Sequence, residues 1–190
     1  MRKDLGAIPA VFPMPVLMVA SYDEDKKVCI MNAAWGQICD VDKIALFIHE
    51  DHKTTQGIKI SKAFTVSLAD VDHIAEADFV GIATGNKMPD KFERTKLHQV
   101  KSEHVNAPII TDFPLAMECE LFDIIDIKNF YCVIGKIVNV SADEKVINEK
   151  GKVEPEKLNA FAFDQFQNGY YKMGEKIGQA WNAGSALMKN

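Results

Sequence analysis

Short apolar segments rich in β-branched and aromatic residues recur along the chain, separated by charged or proline-containing segments. Residues 16–22 and 28–32 are two such segments, and the charged residues 23–27 between them complete the pattern of a β-hairpin. Residues 43–49 form an apolar run whose length suits a buried strand, and residues 64–68 predict another. The first third of the chain is therefore predicted to be mainly β-structure.

Two short helices are predicted among these strands. Thr54 or Thr55 is a suitable N-cap for a helix that continues toward residue 61. A second helix is predicted to begin after the aspartates at positions 70 and 72, and its apolar face is defined by i, i+4, i+7 spacing: Ala75, Phe79 and Ile82.

The second half of the chain predicts a long hairpin. Residues 86–112 are polar and irregular, which indicates a long connection. Residues 116–127 then alternate, with Glu118 and Glu120 on one face and Met117, Cys119 and Leu121 on the other, and residues 130–140 return as a long strand. Strands in hairpin order with short flanking helices predict an antiparallel barrel of the α+β class, not a doubly wound parallel sheet.

Length and composition favour one ordinary globular domain over residues 1–190, with a tail from about residue 164. The net charge of −5 and the scattered lysines argue against a nucleic-acid partner. Four cysteines without metal-like spacing fit a reducing cytoplasm. The basic N-terminus and apolar residues 5–20 superficially resemble a signal peptide, but prolines interrupt them, so we expect a cytoplasmic protein without a membrane partner.

Two segments carry the candidate chemistry. Asn32-Ala33-Ala34-Trp35, at the end of a predicted strand, offers an amide, accessible backbone N–H groups and a large flat ring. His52-Lys53-Thr54-Thr55 offers two basic or potentially basic side chains, two hydroxyls and a helix start, which suit a phosphate. FMN has a polar aromatic ring at one end and a phosphate at the other, so a site that used both segments would fit it.

Other kinds of site find less support. His49, Asp51 and His52 are close in sequence, but no third good ligand accompanies the histidines, so no metal site is predicted. Cys39 is interpreted as a small buried residue in preference to a thiol beside a ring. No nucleophile elbow, phosphate loop or zinc-protease motif is present in the sequence.

The order of the segments resembles the flavin reductase-like family with an FMN-binding split barrel, and within it the flavoredoxins. The resemblance covers roughly residues 13–163: the Pro-Val-Leu strand, the hairpin, Asn-Ala-Ala-Trp, His-Lys-Thr-Thr, the Phe-Thr-Val-Ser strand and Asp-Lys-Phe at residues 90–92. This resemblance implies an antiparallel split β-barrel, a homodimer and FMN near the subunit interface.

The resemblance also implies roles for individual residues. Asn32 and Trp35 would line the flavin ring, and Thr55 with Lys53 and Thr54 would lie at the phosphate or ribityl end. Lys91 would be a further polar contact, and Phe163 an aromatic wall in the C-terminal part. No catalytic side chain is implied, because flavin N5 carries the chemistry.

Two departures from the family pattern stand out. Asn129-Phe130-Tyr131 replaces a histidine of some relatives, and His52-Lys53 stands where many reductases have arginine. Three functions stay open: an NAD(P)H:flavin oxidoreductase, an electron carrier that docks a redox partner protein without NAD(P)H turnover, and a flavin-free binding module on the same barrel.

Overall fold

The computed structural model describes residues 1–128 and 130–188. In that part of the chain the helices are α1 (Lys53–Ser61), α2 (Ile74–Ile82) and α3 (Lys91–Thr95). The strands are β1 (Met14–Pro15), β2 (Leu17–Tyr22), β3 (Val28–Ala33), β4 (Gly36–Asp40), β5 (Lys43–His49), β6 (Ala63–Leu68), β7 (Gln99–Lys101), β8 (Pro108–Ile110), β9 (Leu115–Ile127), β10 (Phe130–Ala142), β11 (Phe161–Asp164) and β12 (Gly169–Lys172).

The main sheet has the strand order β3-β2-β6-β9-β10-β5-β4, and every neighbouring pair is antiparallel. The hairpin predictions for β2–β3 and β9–β10 are confirmed, and so is the α+β class with short helices. A small sheet, β1-β11-β12, and a two-stranded sheet, β7-β8, complete the architecture.

Strand β2 separates two apolar cores. Leu17 and Val19 point into the core enclosed by the main sheet, whereas Met18 and Ala20 point into a second core that α2 covers. All six residues of β2 are buried, which explains why this segment is a continuous apolar run without alternation. Each fully buried aliphatic side chain contributes roughly 1.5–3 kcal/mol of transfer free energy.

The region between α2 and β9 is more ordered than the sequence predicts. It contains α3 and the β7–β8 pair where a long irregular connection was expected. Residues 36–40 form strand β4, which pairs with β5. Strands β4 and β7 are short and mostly exposed, so they lack the apolar pattern on which a strand prediction depends. Strand β8 is largely buried but has only three residues, too few for such a pattern.

The predicted apolar face of α2 is wrong at two of its three positions, because only Phe79 packs against the core. Its buried residues are Ala77 and Val80, whereas Ala75 is exposed and Ile82 is 77% exposed. A 3₁₀ turn capped by Asp70 precedes the helix, and the helix is apolar on nearly every side. Spacing alone therefore does not identify the face that packs.

Glu118 does not lie on a solvated face as its alternation with apolar residues predicts. It is 1% exposed, and its carboxylate accepts hydrogen bonds from Ser102 Oγ and from Asn139 Nδ2, the latter at 2.6 Å. Two donors compensate the burial of this carboxylate, which is otherwise costly. Glu120, two residues later, is exposed as predicted.

No helix among the described residues is long and apolar enough to cross a membrane.

Candidate functional site

A cleft of about 400 Å³ lies where β3, the N-terminus of α1 and the C-terminal end of α2 meet. The loop after α2 and the first residue of α3 close its remaining side. A volume of this size is within the range of small-molecule sites, about 300–1,000 Å³. Five of the residues selected from the sequence line it: Asn32, His52, Lys53, Thr54 and Lys91.

Three more of the selected residues line a smaller hollow of about 110 Å³, which also has Asn32 in its wall. Ala33 and Ala34 come from the end of β3, and Phe163 comes from β11, with Val16 and Tyr170 beside them. Asn32 lines both cavities, so the structure places eight of the ten selected residues around two neighbouring cavities.

Trp35 and Thr55 line neither cavity. Trp35 is 45% exposed and packs against Phe130, with 5.8 Å between ring centroids. Thr55 is fully buried, and its hydroxyl donates to the carbonyl of His49 at 2.9 Å. Contact of either side chain with a flavin stays a prediction.

The N-terminus of α1 faces the cleft. The predicted cap is wrong: His52, not Thr54 or Thr55, is the N-cap residue, and its side chain makes no capping hydrogen bond. Thr54 and Thr55 lie in the first turn because the helix already begins at Lys53. Residues 53–56 include no acidic side chain, so the backbone N–H groups and the positive end of the helix dipole are available to an anion.

Lys53 is held at the rim of the cleft by an ion pair. Its Nζ lies 3.3 Å from Oδ2 of Asp23, whose other oxygen accepts hydrogen bonds from the amides of Asp25 and Lys27. Burial opposes the ionised form of Asp23, but the amide of Lys27 and the ammonium of Lys53 outweigh it and lower the pKa of Asp23. Burial likewise opposes the charge on Lys53, but Asp23 raises the pKa of Lys53 overall.

Lys91 is a buried cation, only 7% exposed. Its Nζ donates to the carbonyls of Val80 and Ala83 at 3.1 Å each, so it caps the C-terminal end of α2 from the cleft. Burial lowers the pKa of Lys91. An anion in the cleft would therefore meet one paired lysine and one lysine bonded only to neutral carbonyls.

Asn32 is fixed by α2. Its Nδ2 donates to the carbonyl of Ala77 at 2.8 Å, which leaves the amide oxygen for other partners. Gly81 lies against this amide: a Cβ added at Gly81 would be 2.5 Å from Nδ2 and from Oδ1 of Asn32. The absence of a side chain at Gly81 is what makes room for the amide.

The ring of His52, which lines the cleft, is followed by the rings of His49 and Phe130 outside the cleft. The centroids of His52 and His49 are 5.8 Å apart, and His49 lies edge-on to Phe130 at 5.5 Å. Burial lowers the pKa of His52, and the nearby His49 and Lys91 lower it further. Of the segment Asn129-Phe130-Tyr131, noted above as a departure from the family pattern, Asn129 lies outside the described residues.

Sequence reasoning missed the loop after α2. Asn86 Nδ2 donates to the carbonyl of Asp51 at 2.7 Å, and a Cβ at Gly85 would be 3.1 Å from Cβ of Lys53, so the loop packs on the start of α1. The Thr-Gly-Asn sequence at residues 84–86 directly after an apolar helix was the available signal.

The cysteines add no reactive group to the cleft. Cys29 lines it, but burial raises the pKa of its thiol to about 11, which keeps the thiol neutral. Cys39 was expected to be buried and is exposed, because β4 is an edge strand, and it lies outside the cleft. No group of three or more potential metal ligands is assembled in the described part of the chain.

Comparison with known proteins identifies the fold. Residues 10–165 match the family model of the flavin reductase like domain. The chain belongs to the flavin reductase like family. The antiparallel split β-barrel that this family implies is confirmed by the structural comparison.

The chain is similar in structure to flavoredoxin of Desulfovibrio vulgaris (Miyazaki F), with 34% sequence identity and a TM-score of 0.92. The match covers 97% of this chain and 100% of that flavoredoxin. Flavoredoxin from Methanosarcina acetivorans gives 20% identity and a TM-score of 0.91, over 99% and 100% of the two chains. FMN-binding protein from Thermus thermophilus shares the fold, with 17% identity and a TM-score of 0.76 over 94% and 98% of the chains.

Among curated proteins, the chain matches an uncharacterized protein of Aeropyrum pernix at 25% identity over 137 residues, which are 71% of this chain. It spans about half of that relative's length, 52%.

Proposed function

We propose that this flavin reductase like protein binds FMN in the cleft and transfers electrons from NAD(P)H through it to free flavin or to a redox partner. The observation that carries the proposal is that one cleft joins Asn32 at the end of β3 to the uncapped N-terminus of α1. These are a hydrogen-bonding group suited to a polar ring and an anion site suited to a phosphate.

The charge of the cleft fits the phosphate of FMN, which carries about −1.5 to −2 at neutral pH. Lys53 and Lys91 both line the cleft, and the first-turn N–H groups of α1 add their partial positive charge. Lys91 is the better placed to respond to a bound anion, since no carboxylate holds its ammonium. The hollow at Ala33, Ala34 and Phe163 would receive the apolar end of the ring system.

The residues of the cleft bind and orient; they carry out no proton transfer that the reaction requires. Bound FMN would supply hydride acceptance from NAD(P)H and onward electron transfer. Asn32, fixed by Ala77, would orient the ring edge, and the buried wall of Cys29 and Val80 would exclude water from one side. A bound ring would therefore keep one face against the protein and the other toward the donor.

A second function, an electron carrier without NAD(P)H turnover, is favoured by the 34% identity to flavoredoxin over 97% of the chain. A single assay distinguishes the reductase from the electron carrier. FMN-loaded protein is mixed anaerobically with NADH or NADPH, and excess FMN is then added. Continued reduction of the excess FMN supports the reductase, and reduction of the bound flavin only by a partner protein supports the carrier. Protein that takes up no FMN contradicts both.

We also propose that the protein is a homodimer, built as one domain over residues 1–190. An apolar sheet face lies on the outer side of strands β5, β9 and β10, with Trp35 from the turn before β4 packed against it. We define this apolar sheet face as Trp35, Phe47, Ile125, Ile127 and Phe130. Cross-strand pairing aligns Phe130 with Ile127, and all five side chains are at least 36% exposed. Exposed apolar patches of this kind mark interaction sites. The free cysteines of the described chain support a reducing, cytoplasmic location.

A further inference from the structure

The cleft follows strand β3 along its length. Asn32 lines the cleft near the end of β3, and Lys27, which precedes the strand, lines it at the opposite end. Residues of a strand rise about 3.3 Å each, so these two positions are roughly 17 Å apart. The turn that joins β2 to β3, residues 23–27, therefore forms the end of the cleft away from Asn32.

The N-terminus of α1 lies part-way along this path. Ser21 of β2 donates through its Oγ to the carbonyl of Thr54 at 3.0 Å, and Ser21 pairs with Cys29 across the hairpin. The first turn of α1 is therefore level with Cys29, about 10 Å along β3 from Asn32. A phosphate bound by the N–H groups of that turn would lie there. Any group attached beyond such a phosphate that remains in the cleft enters the end formed by residues 23–27.

Asp23 places a fixed negative charge at that end of the cleft. Its side chain is only 8% exposed, and its Oδ1 accepts hydrogen bonds from the amide of Lys27 at 2.9 Å and from that of Asp25 at 3.0 Å. The backbone holds the residue as well, since the amide of Asp23 donates to the carbonyl of Lys27 at 3.0 Å. Burial opposes ionisation, but the amide of Lys27 and the ammonium of Lys53 lower the pKa of Asp23, so the carboxylate is charged at neutral pH.

The positive charges at this end of the cleft suit one phosphate. The first turn of α1 has no acidic residue, and Lys53 of that turn lies with its Nζ 3.3 Å from Oδ2 of Asp23. Farther along, Asp25 and Lys27 also line the cleft and carry opposite charges. A second phosphate in the cleft would meet the buried carboxylate of Asp23, and like charges repel more strongly where the surroundings are less polar than water.

We propose that Asp23 is a specificity-determining residue, which restricts the cleft to flavins whose ribityl chain ends in a single phosphate. FMN ends in this way, whereas the chain of FAD continues through a second phosphate to adenosine. Asp23 disfavours FAD because the second phosphate would lie against its carboxylate. It tolerates FMN because Lys53 offsets its charge toward a phosphate at the start of α1. This inference rests on the proposed binding of FMN in the cleft and deepens it by naming the residue that selects the flavin.

The test measures dissociation constants of three flavins by isothermal titration calorimetry of the flavin-free full chain: FMN, FAD and riboflavin 5′-(methyl phosphate). The methyl ester carries one charge on its phosphate, as the first phosphate of FAD does, but it has no second phosphate. The ratio of the FAD dissociation constant to that of the methyl ester therefore reports on the part of FAD beyond the first phosphate. Asp23→Asn is expected to lower this ratio about tenfold, because the repulsion of the second phosphate is removed.

Matched variants separate the charge of Asp23 from its role in the turn. In Asp23→Asn the amide oxygen can still accept hydrogen bonds from the amides of Asp25 and Lys27. Asp23→Ser is a second neutral variant, since a serine hydroxyl accepts such bonds as well. Glu24→Gln is the control, because Glu24 is an exposed acid of the same turn that does not line the cleft. Salt screens an exposed charge, so the control ratio should stay within about twofold of wild type; thermal unfolding checks that each variant folds.

Three outcomes overturn the inference. An unchanged ratio in Asp23→Asn and in Asp23→Ser refutes a role for the carboxylate. An equal fall of the ratio in Glu24→Gln attributes the effect to the general charge of the turn. Wild-type protein that binds FAD as tightly as FMN refutes the restriction itself. In each of these cases binding of FMN leaves the proposed function standing, whereas a chain that binds none of the three flavins refutes the proposed function as well, so the two failures are distinguishable.

Discussion

Gly81→Ala tests separately how Asn32 contributes to protein stability and to FMN binding. The change adds one methyl group at the point where α2 meets the amide of Asn32. The added Cβ would lie 2.5 Å from both terminal atoms of Asn32, a distance at which something must move. The amide is the free end of its side chain, so it is expected to turn away and lose its 2.8 Å hydrogen bond to the carbonyl of Ala77.

Gly81→Ala has two opposite effects on the free energy of unfolding, and they nearly cancel. Alanine in a helix interior is favoured over glycine by about 1 kcal/mol, and the lost hydrogen bond costs about 0.5–1.5 kcal/mol. The free energy of unfolding should therefore change by less than about 1 kcal/mol, a shift in Tm of at most roughly 4 °C for a chain of this size. The displaced amide no longer orients the ligand, and loss of one such contact, about 1 kcal/mol, weakens FMN binding roughly fivefold.

The assay is a double-mutant cycle with Asn32→Ala. FMN dissociation constants from flavin fluorescence and Tm values are measured for wild type, both single variants and the double variant. Once the amide is removed, Gly81→Ala should have no further effect on FMN binding and should stabilise the helix. Two results would refute this reasoning: wild-type FMN affinity in Gly81→Ala, or the same fivefold loss with and without the amide.

Three further changes test other parts of the account. Lys91→Met should lower the free energy of unfolding by about 1–3 kcal/mol in urea titrations, since two carbonyls of α2 lose their donor; an unchanged midpoint contradicts this. Glu118→Gln should lower the free energy of unfolding by about 1–3 kcal/mol, because one of the two donors to Glu118 then faces an amide NH₂. Weakened FMN binding at unchanged stability would contradict a structural role for Glu118. Burial lowers the pKa of His52 in the free protein, and a bound phosphate would raise it. Binding of FMN then takes up a proton at His52, so the affinity for FMN should rise as pH falls from 8 to about 6.5. His52→Gln should flatten that dependence, and an identical slope in the variant excludes His52 as its source.

Local patterns predict much of this fold. The bounds of β5 follow directly from the apolar run at residues 43–49, and the hairpins β2–β3 and β9–β10 follow from charged or polar turns between β-rich segments. In these segments the local preference and the tertiary environment agree, because the buried face is also the apolar one.

Tertiary contacts decide what local patterns do not. Glu118 is buried because Ser102 and Asn139, distant in sequence, supply its donors. Lys91 is buried because α3 begins beneath the end of α2. The sequence around Glu118 and around Lys91 looks like that around an exposed charged residue. The pattern of polar residues alone therefore predicts solvent exposure for both side chains.

The candidate site was predicted in outline and not in detail. Asn32 and the start of α1 do line one cleft, as the types of side chain suggested. The contribution of Gly81 was missed, because its importance comes from its distance to an amide 49 positions earlier in the chain. Trp35 was selected for its ring, but its neighbour in the structure is Phe130 on the apolar sheet face.

The most direct measurement of the central claim compares FMN with riboflavin, which differs only by lacking the phosphate. Isothermal titration calorimetry of the flavin-free protein should give FMN at least tenfold tighter than riboflavin, as expected when a dianion meets a helix N-terminus and two lysines. Lys53→Met should reduce that ratio and leave riboflavin binding nearly unchanged. Equal affinities for the two flavins, or no binding of either, would contradict the assignment of the α1 N-terminus to a phosphate.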